Sequence, residues 1–304
     1  MDNKIILVTG ATGFIGSHFC QKAQQQGCRV IAFTRSLDKA HKRLPGVTAI
    51  QNLAELSSMG KIDYVVNLAG EPLVSGRWNV ERKQAFLESR VGLTNRLFDY
   101  FQAVPEPPKI LISGSAVGYY GPQGDKLLDE AAKHHNSYSH HLCSEWEHSA
   151  LQFNQLGTRV CCLRTGIVLG AEEGALGRML PPFKFGLGGR LGTGKQWMPW
   201  VHIEDVIDLI FHCFNRSDIK GGINASSPNP VTNRQFSKTL GSVLSRPAIL
   251  PMPSPLARLL FGEMADELLL TGQRVVPRKA LESGFEFSYP ELRPALEQLL
   301  LEKP

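Results

Sequence analysis

Residues 4–16, KIILVTGATGFIG, decide the fold: an apolar, β-branched run breaks into glycines at Gly10, Gly13 and Gly16, and an amphipathic stretch follows. Such a strand–turn–helix unit needs glycine where the backbone bends tightly, where it approaches a pyrophosphate without a Cβ in the way, and where helix packs on strand. The helix N-terminus behind the turn offers N–H donors and a partial positive charge to phosphate oxygens. The spacing predicts dinucleotide binding through Gly10, Thr12, Gly13, Phe14, Ile15 and Gly16.

Outward from this turn, short apolar runs alternate with helix-length segments: CRVIAFTR, DYVVNLAG, then ERKQAFLESRVGLTNRLFDYFQ, then KILISGSA. SYSHHLCSEWEHSALQFNQ and RVCCLRTGIVLG repeat the pattern once more. Parallel strands need crossover connections, so the alternation predicts an α/β chain built on a Rossmann-type doubly wound parallel sheet. We expect the dinucleotide-binding domain over 1–170, with a returning segment at about 200–226 carrying the apolar helix HIEDVIDLIFHCF. A smaller mixed α/β C-terminal substrate domain would be made of 171–199 and 227–304. The glycine-dense residues 170–200 read as loop, and a long irregular stretch in a compact domain is more often a binding region than a linker.

Composition narrows the function. With 42% hydrophobic and 20% charged residues the chain matches globular usage and excludes disordered or collagen-like classes. Its net charge of +5 arises without any run of five like charges, so no nucleic-acid footprint is expected, while anionic small molecules suit the balance. The six cysteines have no framework or metal-ligand spacing and read as reduced thiols of a cytoplasmic protein, with no metal site. No leader-like N-terminus and no long apolar run are present, so neither secretion nor a membrane partner is expected.

About 20 residues beyond the last glycine, an NAD-binding strand would end in an acid that holds the ribose 2′-hydroxyl. Here it ends FTRS, placing Arg35 there between Thr34 and Ser36. A guanidinium suits a 2′-phosphate, so NADP(H) is the expected cofactor. The small residues closing VVNLAG let the backbone of Leu68, Ala69 and Gly70 run close to a ribose or flat ring.

The glycine turn, NLAG, LISGSAVGYYG and WMPWVHIEDV together resemble the extended short-chain dehydrogenase/reductase group of sugar-nucleotide epimerases, along essentially the whole chain. GEPLVSGRWN, ESRVGLTN and PSPLARLLFGEMADELLLTGQRVVPRKALESGFEF are more narrowly similar to an epimerase-like subgroup whose C-terminal domain has no assigned function. The group's usual Ser, Tyr and Lys are only partly present. Anchored on Glu147, the tyrosine place of YxxxK falls on Ser139 and the lysine place on Cys143, with Tyr138 one residue away. The resemblance implies catalytic roles for Ser115 and for Tyr120, which stands where related enzymes line the substrate pocket. Cys143 is a third candidate, as nucleophile or acid in its own right. Arg90 replaces the parent asparagine and would add a cation at the cofactor, and Gly166 and Ile167 would contact the nicotinamide through their backbone. In the glycine-dense stretch, Arg190, Trp197, Trp200 and His202 are the expected substrate contacts, with Lys195, Gln196, Arg274 and Arg278 as further candidates.

Two functions follow from this pattern. One is an NADP(H)-binding, epimerase-like oxidoreductase acting on a nucleotide-linked or phosphorylated sugar or another small carbonyl substrate. The other is a non-catalytic NADP(H)-binding redox sensor or partner-binding protein, as monomer or homodimer.

Overall fold

The computed structural model describes residues 3–171 and 173–301. Seven strands make the central sheet: β1 (Ile5–Thr9), β2 (Arg29–Phe33), β3 (Thr48–Ile50), β4 (Tyr64–Asn67), β5 (Ile110–Ala116), β6 (Arg159–Thr165) and β7 (Gly221–Ala225). Their order is β7-β6-β5-β4-β1-β2-β3, and all six pairings are parallel. Chain order reverses between β1 and β4, and in such sheets ligands bind in the crevice beyond the carboxyl ends of the strands at that reversal. Register places the candidate residues at those ends, with Thr9 opposite Asn67 and Ser115 opposite Arg164.

Five helices lie between the first six of these strands along the chain: α1 (Phe14–Gln25), α2 (Leu37–Arg43), α3 (Val80–Leu87), α4 (Leu93–Gln102) and α5 (Tyr138–Leu151). Along β1 the pleat sends Ile6 and Val8 into one core with Phe19 and Cys20 of α1, and Leu7 into the other with Leu97 and Phe101 of α4. Burial on both faces explains the near-continuous apolar strands. The segment 81–102, expected as one helix, carries a π-helical turn at Glu88–Gly92 between α3 and α4. Single π turns of this kind interrupt helices at functional sites more often than elsewhere; this one carries Arg90.

The chain continues through α6 (Gly174–Lys184), α7 (Ile203–Asn215), α8 (Asn233–Val243), α9 (Ser254–Phe261), α10 (Arg278–Glu282) and α11 (Leu292–Leu301). α6 corrects the expectation of loop across 170–200. Leu176, Leu180 and Phe183 recur at helical spacing and bury one stripe, which outweighs the weak propensity of the glycines and prolines around them. α6, α8 and α11 enclose a second core built on Leu180, Trp200, Phe236, Leu240 and Leu296.

Candidate functional site

The glycine turn is closed by backbone contacts. Gly10 has φ +66°, and a Cβ on it would lie 2.7 Å from the Leu68 carbonyl and the Ala69 nitrogen. A Cβ on Gly16 would lie 2.2 Å from the Gly10 oxygen. The Gly13 nitrogen donates to that same oxygen at 2.9 Å. Gly13 is the N-cap of α1 and has no side chain to cap with, so the first N–H groups of the helix remain for a ligand. These are the features a pyrophosphate requires; the turn itself is local, and the backbone of Leu68 and Ala69 closes against it.

Buried hydroxyls fix the neighbouring strand end. Thr9 Oγ1 donates to Asn67 Oδ1 at 2.6 Å and accepts from the Ala69 nitrogen at 3.2 Å, and Asn67 Nδ2 donates to Thr94 Oγ1 at 2.8 Å. Leu68, Ala69 and Gly70 are thereby held against the glycine turn. At the end of β2 the Arg35 side chain is 93% exposed, with Glu71 at 4.0 Å its nearest carboxylate among the described residues. The Thr34 and Ser36 hydroxyls serve the local turn, and Ser36 caps α2. Ser36, Asp38, Lys39, Lys42 and Arg43 line a shallow, open depression there.

The three expected catalytic residues are engaged internally. Ser115 Oγ donates to Glu147 Oε1 at 2.7 Å. Glu147 in turn forms a buried bidentate pair with Arg164, at 2.8 and 2.9 Å. Arg164 Nη1 donates to Tyr120 Oη at 3.0 Å, and Tyr120 donates to Asn224 Oδ1 at 2.7 Å. Burial opposes the Arg164 charge, but the hydrogen bonds and charge of Glu147 hold the guanidinium above its ordinary range. Tyr120 is fully buried, and burial, which Arg164 only partly offsets, pushes its phenol up to about 12. With both sides of the hydroxyl used, Tyr120 has no proton to offer a ligand; it is a link in the core. Cys143 is likewise buried, and desolvation with the nearby Glu147 charge pushes its thiol up to about 12, which removes the thiolate a nucleophile needs. All six cysteines are buried.

A different group of side chains gathers beside Gly70 and the start of α5. The Arg90 guanidinium lies against Gly70, where a Cβ would come within 2.9 Å of it. Arg90 donates to the Glu71 carbonyl at 3.1 Å and to the Phe86 carbonyl at 3.2 Å, and stacks 5.1 Å from the Trp146 ring. Tyr138, at the first turn of α5, is half-buried with the Lys83 ammonium 4.5 Å from its ring centre. Burial holds its phenol above the ordinary range, opposed by the Arg90 charge. Glu267, which sequence reading passed over, accepts from the Ser139 nitrogen at 3.1 Å and from Ser139 Oγ at 2.7 Å, capping α5 from 128 residues away. Lys83 also bridges to Glu263 at 2.7 Å, so the C-terminal segment is bolted onto this group. No local signal marks Glu267 or Arg164, because their partners are distant in sequence.

The remaining expected contacts divide. The Gly166 nitrogen donates to the Ala225 carbonyl at 3.0 Å and the Ile167 nitrogen to the Pro199 carbonyl at 2.6 Å, so neither amide is free for a nicotinamide. Trp197 is half-buried, donates to Asp125 at 2.8 Å and carries the Arg274 guanidinium 4.6 Å from its ring. Arg190 Nε and Arg274 Nε are buried donors without a hydrogen-bond partner. Trp200 and His202, expected as substrate contacts, are buried in the core: Trp200 is fully buried with its indole N–H on the Asn229 carbonyl.

His202 itself caps α7, accepting from the Glu204 nitrogen while Nε2 donates to Gln298 at 3.0 Å. Burial brings its imidazole down to about 4, from 6.5. Its contribution to stability is therefore full above pH 6.5 and lost as pH falls toward 4. Between pH 7 and 5 that loss should be about 2 kcal/mol. Nearby Asp205, raised by burial to about 6, acts with the opposite sign, so the effect is read as the difference between wild type and His202→Gln in urea unfolding. An unchanged difference across that range would refute the assignment.

Comparison with known proteins agrees with this geometry. The model of the NAD dependent epimerase/dehydratase family matches residues 6–225, and that of a domain of unknown function (DUF1731) matches residues 252–299. The chain is 38% identical over 302 residues to the chloroplastic epimerase family protein SDR39U1 homolog of Arabidopsis thaliana, covering 97% of this chain and 86% of that protein. It is 37% identical to the epimerase family protein YfhF of Bacillus subtilis, covering 98% of each. The crystal structure of human epimerase family protein SDR39U1 (isoform 2) with NADPH superposes with a TM-score of 0.88 at 34% identity, over 98% of this chain and 100% of that one. With more than half of its length matched by the family model and relatives similar from end to end, the chain belongs to the NAD dependent epimerase/dehydratase family.

Proposed function

We propose that the chain binds NADP(H) and acts as an epimerase-like oxidoreductase on a nucleotide-linked or phosphorylated sugar or another carbonyl compound. The observation that carries this reading is the half-buried Tyr138 phenol, which has the Lys83 ammonium 4.5 Å from its ring and feels the charge of Arg90, the guanidinium that packs on Gly70. The bound nicotinamide would supply or accept hydride. Tyr138, neutral at physiological pH, gives a proton to the substrate oxygen, and the two cations stabilise the charge left behind. It thus takes the part first expected of Tyr120. Arg190, Trp197 and Arg274, with unpaired buried N–H donors and an aromatic face, suit a phosphate and a base or sugar ring.

NADPH in the human relative's structure and the exposed guanidinium at the end of β2 support the choice of cofactor. Arg35→Ala should weaken NADPH binding by an order of magnitude or more with little change for NADH, since a charge-assisted hydrogen bond contributes ~1.5–3 kcal/mol. Calorimetric titration with both cofactors checks it, and equal weakening would overturn the assignment.

The second reading, a non-catalytic NADP(H) sensor, draws on one specific observation: Ser115, Tyr120 and Cys143 are all committed to internal structure. A screen of aldehydes, ketones and nucleotide sugars for NADPH oxidation separates the two. Turnover that falls at least ~100-fold in Tyr138→Phe, with NADPH affinity unchanged, is the enzyme's signature. Tight NADPH binding without oxidation across the panel selects the sensor.

A further inference from the structure

Acidic residues are unevenly distributed along the chain. Residues 174–203 and 219–262 contain no aspartate or glutamate, against nine lysines and arginines. Of those nine, Arg258 alone has a carboxylate partner among the described residues. The loops that follow α6 and α8 meet at an exposed tip where four large apolar side chains face solvent: Phe185 is 80% exposed, Leu187 61%, Ile249 78% and Leu250 49%. The tip is tied together by its backbone. The Leu250 nitrogen donates to the Gly188 carbonyl at 3.2 Å, and Arg246 Nε donates to the Lys184 carbonyl at 3.1 Å. Lys184 and Arg246 are both exposed and flank the apolar residues, and exposed Lys238 stands on α8, whose Ser237 hydroxyl holds the Gly189 carbonyl.

Isolated exposed leucines are ordinary, whereas several large apolar groups gathered in one place mark an interaction surface. We propose that this tip docks on an anionic lipid surface, with Phe185, Leu187, Ile249 and Leu250 entering the acyl boundary and Lys184 and Arg246 at the level of the head groups. Charge complementarity selects this occupant. A second copy seated tip to tip would oppose cation to cation with no acid in either stretch, and a nucleic acid would use the cations but leave the aliphatic side chains in water. No helix of the described chain is long and apolar enough to cross a membrane, so the contact is peripheral. It revises the expectation of no membrane partner in that respect only.

The test is co-sedimentation of the full chain with phosphatidylcholine vesicles, with and without phosphatidylglycerol. Binding to the anionic vesicles alone, weakened by salt and reduced at least ~10-fold both in Phe185→Ser/Ile249→Ser and in Lys184→Glu/Arg246→Glu, is the expected result. Absence of binding overturns the proposal. So does binding that the apolar variant leaves unchanged, which would be general adhesion of a basic protein. A concentration-dependent dimer in light scattering that Phe185→Ser/Ile249→Ser abolishes, without vesicle binding, would assign the tip to a second copy instead.

Discussion

Replacing Glu147 by alanine is expected to destabilise the protein by about 3–5 kcal/mol, the cost of breaking a buried ion pair from one side. The carboxylate and the Arg164 guanidinium are each less than a tenth exposed, and Glu147 accepts three hydrogen bonds, two from Arg164 and one from Ser115. Its removal strands a cation that no other side-chain carboxylate among the described residues neutralises. Arg164 also carries Tyr120, lies 3.5 Å from the Tyr119 ring centre, and reaches the Glu130 carbonyl, so the loss spreads to the C-terminal segment held by Glu130 and Asn224. The double variant Glu147→Leu/Arg164→Met should recover most of this stability, because two apolar groups of similar volume leave no buried charge. Urea unfolding of the two variants measures it. A single-variant loss below about 1 kcal/mol would mean that water reaches the pair and that the network is not what holds Ser115 in place.

How much of this was legible in the sequence follows from distance along the chain. The glycine turn, β1, β4 and the basic end of β2 are local, and their residue types state their own geometry. The parallel sheet followed from the alternation of apolar runs with helices. α6 was obscured because glycine and proline are strong local signals, whereas the Leu176–Leu180–Phe183 stripe acts only through the second core it packs against. The surroundings of the catalytic candidates are illegible in the sequence for a related reason. Arg164 and Glu147 draw Ser115 and Tyr120 into a buried network whose members come from β5, the short turn Val117–Tyr120 after it, α5, β6 and β7. Gly166 and Ile167 lie where expected, yet their amides are spent on Ala225 and Pro199, which no pattern around residue 166 reveals. Glu267 caps a helix that begins 129 residues earlier.

Gly10→Ala is expected to reduce NADPH affinity by about a hundredfold, the equivalent of losing one or two charge-assisted hydrogen bonds of ~1.5–3 kcal/mol. Two effects act together at this residue. Its φ of +66° costs an L side chain roughly 1–2 kcal/mol. Its Cβ would also fall 2.7 Å from the Leu68 carbonyl and the Ala69 nitrogen, both backbone and unable to swing aside. The turn and the end of β4 must separate, and with them the α1 N-terminus and the Leu68–Ala69–Gly70 backbone, the two walls of the crevice. Gly16→Ala should be at least as damaging to folding, since its Cβ would lie 2.2 Å from the Gly10 oxygen. Gly13→Ala is the control: it has φ −82° and its Cβ would lie 3.1 Å from the Gly10 oxygen, a contact that a small shift relieves. Stability should therefore fall little for Gly13→Ala and by at least ~2 kcal/mol for the other two. Thermal unfolding ranks the three, and NADPH titration of the folded fraction reads the cofactor. Equally small stability losses at all three positions would show that the turn tolerates a Cβ anywhere, and that close backbone packing is not what the three glycines are for.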